Sequence, residues 1–304
     1  MKVAAIDLGS NTFLCLIAEV ENSKIIKVYS DHSEVVRLGQ DLDRAKCFHP
    51  EALKRAEACL KKFSEIISHE KPERVLAMAT SAARDATNKA ELFELAARHG
   101  IPLEIIPGEK EAQITYQGAV SGSTDQTIKT MVIDIGGGST EFIFGNGPFM
   151  LAGKSFDIGC VRLTEKYISN QPTGVNEIIR VTSVVDQCLQ EALSLQPPYF
   201  SADRIIAVAG TPTSLVAAEL GGYNAELIDG FSLDRARLND WFFRLSKASV
   251  EEKIKMGIPS GRADVILIGV IILLRTLIIF EQQQLTVSTR GVRYGVALEI
   301  FSRG

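Results

Sequence analysis

Two segments of this 304-residue chain follow one pattern, and this repeat constrains the fold more than any other sequence feature. In each copy an apolar run leads through an aspartate into a glycine-containing turn with hydroxyl side chains, and a second apolar run follows. Apolar runs on both sides of a short turn predict a strand, a tight turn and a second strand. The two copies read Ile6-Asp7-Leu8-Gly9-Ser10-Asn11-Thr12 and Ile133-Asp134-Ile135-Gly136-Gly137-Gly138-Ser139-Thr140-Glu141.

The residues of both turns are suited to binding anions. Glycine lets the backbone approach a ligand closely, successive amide N–H groups can surround an anion, and Ser and Thr hydroxyls add donors. Asp7 and Asp134, at the ends of the first strands, fit ligands of a hydrated Mg²⁺ that bridges to phosphates. One turn of this kind is more often a structural hairpin. Two copies, about one small domain apart, instead predict a site for a nucleotide or a polyphosphate.

The order of the predicted elements divides the chain into two domains. A βββαβα order precedes the polar stretch at residues 121–126, and the same order begins again after it. We therefore predict two similar α/β domains, residues 1–124 and 125–304, that face each other across a cleft. In the second domain the pattern predicts a helix over residues 233–246 and a buried apolar helix within residues 262–280.

The composition argues against several classes of protein. The net charge of −4 and the lack of a Lys/Arg-rich run argue against broad binding to nucleic acid or to a membrane surface. The apolar stretch at residues 265–280 contains Arg275 and is shorter than the roughly 20 residues that a membrane-spanning helix needs. The same stretch and Phe301 fit either a domain core or the interface of a homodimer.

Cysteine usage and the N-terminal residues predict a cytoplasmic location. The five cysteines are scattered and none is spaced as Cys-x-x-Cys, which indicates neither a disulfide framework nor a zinc site. The chain begins with a strand-like segment that carries Asp7. A secretory signal peptide would instead have a charged region followed by an apolar one.

Taken together, the motifs resemble the exopolyphosphatase and guanosine pentaphosphate phosphatase family in its short two-domain form. The resemblance implies two tandem ribonuclease H-like domains of the actin-like ATPase fold. It also implies a hydrolase that releases the terminal phosphate of inorganic polyphosphate, of guanosine pentaphosphate, or of both. Five segments carry the resemblance: residues 5–12, 79–86, Pro107-Gly108-Glu109-Lys110-Glu111-Ala112, residues 132–141 and Gly210-Thr211-Pro212-Thr213.

The resemblance implies roles for the motif residues. Glu111 matches the second acidic residue of the family's Gly-x-x-Glu-Ala motif and would orient or deprotonate the attacking water. Asp134 and Glu141 would hold or orient a divalent ion, Mg²⁺ or Mn²⁺. Amides and hydroxyls of the two turns would bind the terminal phosphates, namely those of Gly9, Ser10, Asn11, Thr12, Gly136, Gly137, Gly138 and Ser139.

Two further phosphate-binding positions have a second interpretation. Arg84 follows a strand, where it is suited either to a bidentate phosphate contact or to a surface pair with Asp85. Gly210 and Thr211 follow a strand and open a helix, where their amides can meet an anion. Thr211 fits the N-cap of that helix equally well.

Without the resemblance, Glu109 and Glu111 in the first turn of a helix can simply complement its dipole.

Two other functions stay open on the same residues. An ATP-dependent kinase or ATPase has the same fold, and a non-catalytic regulator can bind polyphosphate or the guanosine alarmone with the same turns. The physiological substrate, the accepted chain length, the preferred metal and the oligomeric state do not follow from the sequence.

Overall fold

The computed structural model describes residues 1–123, 125 and 127–304, and these form two compact units. The first unit comprises Met1–Ser123 and Arg290–Gly304, and the second comprises Thr124–Thr289. The predicted division between residues 124 and 125 lies within one residue of this boundary. Two positions of the predicted polar linker, 124 and 126, lie outside the described residues. Residues 290–304, which we assigned to the second domain, belong to the first unit instead.

The first unit is built on a five-stranded sheet with the order β3-β2-β1-β4-β5. β1 pairs antiparallel with β2 and parallel with β4, so it lies in the middle of the sheet. Its residues after Lys2 are all buried, as expected for an apolar strand covered on both faces. The strands are β1 (Lys2–Leu8), β2 (Thr12–Glu21), β3 (Lys24–Val35), β4 (Arg74–Ala79) and β5 (Leu103–Ile105).

Helices connect the strands of the first unit, and the longest of them follows β3. The long helix α2 has Pro50 at its first position, and the His49 ring accepts a hydrogen bond from the Glu51 amide at 3.1 Å. Its buried face includes Leu53 and Leu60, at helical spacing. The helices before the second unit are α1 (Leu42–Ala45), α2 (Pro50–Glu70), α3 (Ser81–Asp85), α4 (Lys89–Arg98) and α5 (Gly108–Val120).

The C-terminal helix α13 (Val292–Ser302) belongs to the first unit because it packs closely on α5. A Cβ atom added at Gly295 would lie 1.9 Å from the Ile114 carbonyl oxygen, and one added at Gly118 would lie 2.2 Å from the Gly291 carbonyl oxygen. Only glycine permits this approach of two helix backbones. The helix adds five buried side chains to one face of the sheet: Val292, Tyr294, Val296, Ala297 and Ile300.

The second unit is built on a six-stranded sheet with the order β10-β11-β9-β6-β7-β8. β6, β7 and β8 form an antiparallel meander, and β9 pairs parallel with β6. The strands are β6 (Lys129–Ile135), β7 (Thr140–Asn146), β8 (Phe149–Phe156), β9 (Arg204–Val208), β10 (Ser232–Asp234) and β11 (Gln284–Val287). The helices are α6 (Cys160–Tyr167), α7 (Val175–Ser194), α8 (Gly210–Leu220), α9 (Ala225–Ile228), α10 (Arg235–Ser246), α11 (Val250–Lys255) and α12 (Ile266–Ile279).

The prediction of a helix over residues 233–246 was wrong at its beginning. Residues Ser232–Asp234 form strand β10, because Leu233 pairs with Leu285 of β11. The helix starts at Arg235, after the Asp234 side chain accepts a hydrogen bond from the Arg237 amide at 2.7 Å. A local pattern does not reveal the partner strand, which lies about fifty residues further along the chain.

Helix α12 is the predicted buried apolar helix, although it starts at Ile266. Ten of its residues are buried, and eight of them belong to the hydrophobic core of the second unit. Arg275, the charged residue within it, forms a bidentate pair with Asp186 of α7, at 2.6 and 2.9 Å. In the described part of the chain, no helix combines the length and apolar character needed to cross a membrane.

Both units therefore have the predicted architecture. Each opens with three antiparallel strands, and parallel strands reached through helices follow on one side of the first strand. This arrangement is the ribonuclease H-like unit of actin-like proteins. The predicted fold class is confirmed.

Candidate active site

The two glycine turns have the same backbone hydrogen bond. In the first turn the Gly9 amide donates to the Thr12 carbonyl oxygen at 3.2 Å, and in the second the Gly136 amide donates to the Ser139 carbonyl oxygen at 3.0 Å. A Cβ atom at Gly9 or Gly136 would lie 3.0 or 3.1 Å from the same oxygen, closer than side chains normally approach. The repeated sequence pattern therefore produces two equivalent turns, one at the end of the first strand of each unit.

The carbonyl side of the first turn is bound by the loop that follows β3. The Asn11 carbonyl oxygen accepts hydrogen bonds from the amides of Val36 at 3.0 Å and Arg37 at 2.8 Å, and the Ser10 carbonyl oxygen accepts one from Gly39 at 2.8 Å. A planar trans peptide directs its C=O and N–H to opposite sides. The amide of Asn11 is therefore directed away from this loop, as an anion-binding turn requires.

Ser10 also connects the first turn to helix α3. Its hydroxyl oxygen accepts a hydrogen bond from the Ala82 amide at 3.2 Å, so the side chain lies at the start of that helix. The hydroxyl hydrogen remains available to another acceptor, such as a phosphate oxygen. Beside it, the Asn11 Oδ1 atom is buried and has no hydrogen-bond partner among residues 1–123, 125 and 127–304.

Helix α3 also carries Arg84, which forms an ion pair with Glu111. The Arg84 Nη1 atom donates to Glu111 Oε2 at 2.5 Å and to the Ile106 carbonyl oxygen at 3.1 Å. Arg84 was predicted to bind phosphate or to pair with Asp85, and the structure adds this partner, which we did not predict. Two of the candidate site residues of the first unit therefore lie in direct contact.

Glu111 differs strongly from its neighbour Glu109. The Glu111 side chain is only 6% exposed, whereas Glu109 is on the surface. Burial raises the pKa of the Glu111 carboxyl, and the Arg84 guanidinium and a hydrogen bond with Thr80 oppose part of this increase. A surface position is sufficient to complement a helix dipole, so that role fits Glu109 better than Glu111. A buried carboxyl with a perturbed pKa is typical of functional sites.

In the second turn, helix α6 binds the carbonyl side. The amides of Cys160 and Val161 donate to the carbonyl oxygens of Gly136 and Gly137 at 3.0 and 2.9 Å, and the Arg162 amide also donates to Gly137, at 3.1 Å. The first amides of a helix otherwise need partners, and here the turn supplies them. The opposite sides of these peptides carry the amides of Gly137 and Gly138, which are directed away from α6.

The second turn also has a pair of acidic residues. Asp134 and Glu141 are partners across β6 and β7, so they project from the same face of the sheet, and both are buried. Glu141 Oε1 accepts hydrogen bonds from the hydroxyls of Ser139 at 2.8 Å and Ser155 at 2.6 Å. In the first turn, by contrast, the partner of Asp7 is Leu14.

The acidic pair fits a magnesium ion that also has water and phosphate ligands. Like charges placed opposite each other destabilise a sheet, and a cation offsets this repulsion. Mg²⁺ commonly takes one or two carboxylates from a protein and completes its shell with water and substrate phosphate. In the described part of the chain, no cluster of three or more His, Cys, Asp or Glu residues is suited to a metal.

Gly210 and Thr211 are the first two residues of α8. The N-cap is Ala209, with φ of 71°, so the structure contradicts the alternative prediction that Thr211 is the N-cap. A Cβ atom added at Gly210 would lie 1.7 Å from Arg262 Nη1, so this arginine covers the start of the helix. The amides at the start of α8 and the Arg262 guanidinium form a positive environment suited to an anion.

Thr211 is linked to the second turn through Cys160. The Thr211 hydroxyl lies 3.4 Å from the Cys160 sulfur atom, and the Cys160 amide donates to the Gly136 carbonyl oxygen. The structure therefore brings together the turn, the acidic pair and the start of α8 within the second unit. It also brings together the first turn, Arg84 and Glu111 within the first unit.

Sequence reasoning missed several residues of the site. Thr80, Ser155 and Arg262 contact predicted site residues, but none belongs to either repeated turn. Gly159 is the N-cap of α6. A Cβ atom at Gly159 would lie 2.3 Å from the Gly137 carbonyl oxygen, so only glycine allows α6 to approach the turn.

Two ribonuclease H-like units, each with a glycine turn at the end of its first strand, define a protein of the actin-like class. The chain belongs to the Ppx/GppA phosphatase family, whose sequence model matches residues 16–303. It is therefore a hydrolase of the phosphatase class, as the motif resemblance predicted.

Individual relatives agree with this assignment. The chain is 33% identical to exopolyphosphatase 2 of Mycobacterium tuberculosis, over 98% of both chains. It is 30% identical to the guanosine-5'-triphosphate,3'-diphosphate pyrophosphatase of Photobacterium profundum, over 99% of this chain and 59% of that protein. The crystal structure of the Aquifex aeolicus member of the family superposes with a TM-score of 0.82, at 30% identity, over 100% of this chain and 98% of that one.

Proposed function

We propose that the protein releases the terminal phosphate of inorganic polyphosphate, of guanosine pentaphosphate, or of both, by attack of a water molecule that Glu111 orients and deprotonates. The observation that carries this proposal is the buried Arg84–Glu111 pair, which α3 links to the first glycine turn. The names of the two relatives support the two substrates. Both substrates end in a phosphoanhydride, so one site can serve either.

Glu111 would act as the general base. A carboxyl whose pKa burial has raised is a stronger base than a solvated one, and bases with a pKa near the working pH are the most effective. Arg84 fixes the position of the carboxylate and keeps enough of it ionised to accept a proton. Proton transfer from water to Glu111 then produces the nucleophile that attacks the terminal phosphorus atom. The bond from this phosphorus to the bridging oxygen breaks, so inorganic phosphate and the substrate shortened by one phosphate are the products.

The glycine turns would neutralise the charge of the phosphates. Phosphoryl transfer depends mainly on positioning and on electrostatic stabilisation of the phosphoryl oxygens. We assign this role to the amides and hydroxyls of the two turns, with Gly210, Thr211 and Arg84 as further phosphate contacts. Asp134 and Glu141 would hold Mg²⁺ or Mn²⁺, and Asp7 would be a further metal ligand. A bound ion of this kind polarises phosphate oxygens and offsets their charge.

We also propose a cytoplasmic location for the protein and a class of ligand. All five cysteines are free thiols, which fits the reducing cytoplasm. The ligands we propose are small polyanions, and we propose neither a nucleic-acid nor a membrane partner. A homodimer stays a prediction from the apolar stretches.

The decisive experiment compares Glu111→Gln with Glu109→Gln. Phosphate release is measured from medium-chain polyphosphate, guanosine pentaphosphate and ATP, each with Mg²⁺. Loss of a general base should lower turnover of Glu111→Gln by ~10²-fold or more. The exposed Glu109→Gln control on the same helix should keep the activity of the unmodified protein, which separates the base from a general effect on α5.

Other outcomes would select another function. Equal turnover in both variants would remove Glu111 from the mechanism. Hydrolysis or transfer of phosphate from ATP alone would favour the kinase or ATPase alternative. Saturable binding of guanosine pentaphosphate without phosphate release would favour the regulator.

A further inference from the structure

Arg162, near the start of α6, makes a direct contact with the second glycine turn. Its Nε atom donates to the Gly138 carbonyl oxygen at 2.7 Å, and its own amide donates to the Gly137 carbonyl oxygen at 3.1 Å. The side chain is only 14% exposed. A hydrogen bond from a cation to a carbonyl oxygen is shorter and stronger than one between neutral groups.

The contacted carbonyl belongs to the same peptide group as the Ser139 amide. Peptide C=O and N–H are conjugated and point to opposite sides, so a cation at the oxygen polarises the N–H and strengthens it as a donor. The Ser139 amide is the last of the three consecutive amides, from Gly137 to Ser139, that face away from α6. The guanidinium therefore strengthens a donor on the side of the turn that is directed away from α6, although the guanidinium itself lies on the α6 side.

We infer that Arg162 is a positioning residue for phosphate binding at the second turn. It fixes the peptide between Gly138 and Ser139 and strengthens the Ser139 amide as a donor to the terminal phosphate of the substrate. This inference rests on the proposed function, because it assigns the phosphate of that same reaction to this amide.

The contact of Arg162 with Asp157 does not explain the position of the arginine side chain. The carboxylate of Asp157 lies 3.9 Å from Arg162 Nη2, beyond hydrogen-bond distance, and its side chain is 84% exposed. Exposed ion pairs contribute little. The close contact of α6 with the turn depends instead on the backbone, since Gly159 allows the first residues of α6 to reach the Gly137 carbonyl.

The same unit offers a matched control. Arg235, at the start of α10, donates from Nε to the Gln282 carbonyl oxygen and from Nη2 to the Leu277 carbonyl oxygen, both at 2.7 Å. It has the chemistry of Arg162 but contacts no residue of the turn. Replacing Arg235 with methionine therefore reports the general cost of losing an arginine that binds backbone carbonyls.

The test compares Arg162→Lys and Arg162→Met with Arg235→Met, in hydrolysis of inorganic tripolyphosphate and in ¹H–¹⁵N NMR spectra of the full chain. Deleting a preorganised donor outright costs ~10²–10³ in kcat, so weakening one should lower kcat by ~10-fold in both Arg162 variants. The Ser139 amide proton should move upfield in both, and Arg235→Met should change neither quantity. Lysine keeps the charge but lacks the planar Nε–H, so it should not rescue.

Three results would overturn the inference. One is unchanged kcat in the Arg162 variants, another is an unmoved Ser139 resonance, and the third is an equal loss in Arg235→Met. If the unmodified protein hydrolyses none of tripolyphosphate, medium-chain polyphosphate and guanosine pentaphosphate, the proposed function fails, and the Ser139 amide resonance then tests the inference separately. A shift of that resonance on adding tripolyphosphate, weaker in the Arg162 variants, would support the inference, and the lack of a shift would overturn it.

Discussion

At the scale of single residues, the proposed role of Glu111 depends on a balance between its protonated and ionised forms. Burial favours the protonated carboxyl, while the Arg84 guanidinium and Thr80 favour the ionised form. A general base must be ionised to accept a proton, so activity should rise with pH as Glu111 loses its proton. The acid limb of the pH profile therefore reports the balance directly.

Replacing Arg84 with methionine should move that limb to higher pH. The guanidinium lowers the pKa of Glu111, so its removal raises the pKa further, and the carboxylate forms only at higher pH. An adjacent opposite charge typically changes a carboxyl pKa by ~1–3 units, so we expect a shift of about 1 pH unit or more in kcat/KM. The measurement is the pH dependence of phosphate release.

Arg98 provides the control for this prediction. It pairs with Glu57 at 2.7 Å in the same unit, but both side chains are well exposed. Arg98→Met should leave the acid limb in place. A limb that is also unmoved in Arg84→Met would show that Glu111 does not govern the pH dependence.

The sequence motifs singled out Glu111 as the candidate base but did not predict its partner. Arg84 and Glu111 are separated by 27 residues, and their contact depends on the packing of α3 and α5. The nearest acidic neighbour in the sequence, Asp85, was the natural but incomplete prediction. The two glycine turns, in contrast, are local structures, and their glycines and hydroxyls were identified because the backbone constraint acts within four residues.

At the scale of elements, helix α6 acts as a support for the second turn. Its first three amides and the Arg162 side chain all donate to carbonyl oxygens of Gly136 to Gly138. The first turn receives the equivalent support from a loop, through the amides of Val36, Arg37 and Gly39. Both units therefore bind the carbonyl side of the turn and direct the amides to the other side.

Replacing Gly159 with alanine should disrupt the support by α6. The new Cβ would lie 2.3 Å from the Gly137 carbonyl oxygen, so the helix or the turn must move. Overpacking typically costs ~1–3 kcal/mol in the free energy of unfolding, and displaced amides should also reduce phosphate release. Urea denaturation and the phosphate assay measure the two effects.

Gly222→Ala is the matched control in the same unit. A Cβ atom at Gly222 would meet no atom within 4 Å. This variant should keep both stability and activity, within about 0.5 kcal/mol for stability. Equal behaviour of the two variants would show that α6 does not hold the turn through this contact.

At the scale of the whole molecule, the first unit is formed from two separate parts of the chain. The C-terminal helix α13 adds five side chains to a cluster that includes Val3, Leu16 and Met78 of the central sheet. Arg293, at its start, forms a bidentate pair with Asp31 of β3, with both distances 2.7 Å. The second unit, residues 124–289, has its own large core.

A chain that ends at Thr289 should lose the structure of the first unit only. Without α13, one face of the sheet exposes its apolar side chains, and Asp31 loses its buried partner. We expect fast amide exchange in β1 and β4 and retained protection in β6 and β9. A chain that ends at Ser302 keeps α13 and should exchange like the full chain, whereas protected β1 amides in the shorter chain would contradict the prediction.

The sequence alone determined the two glycine turns and most of the strands and helices, because each follows from patterns within a few residues, and the motif resemblance added the candidate base. The repeat of one local pattern was sufficient to predict two related units. Tertiary structure decided the Arg84–Glu111 pair, the support of each turn and the return of α13 to the first unit. These features join residues from 24 to 262 positions apart, as between Gly138 and Arg162 or Asp31 and Arg293. Such contacts depend on which surfaces pack together, and no local pattern specifies that.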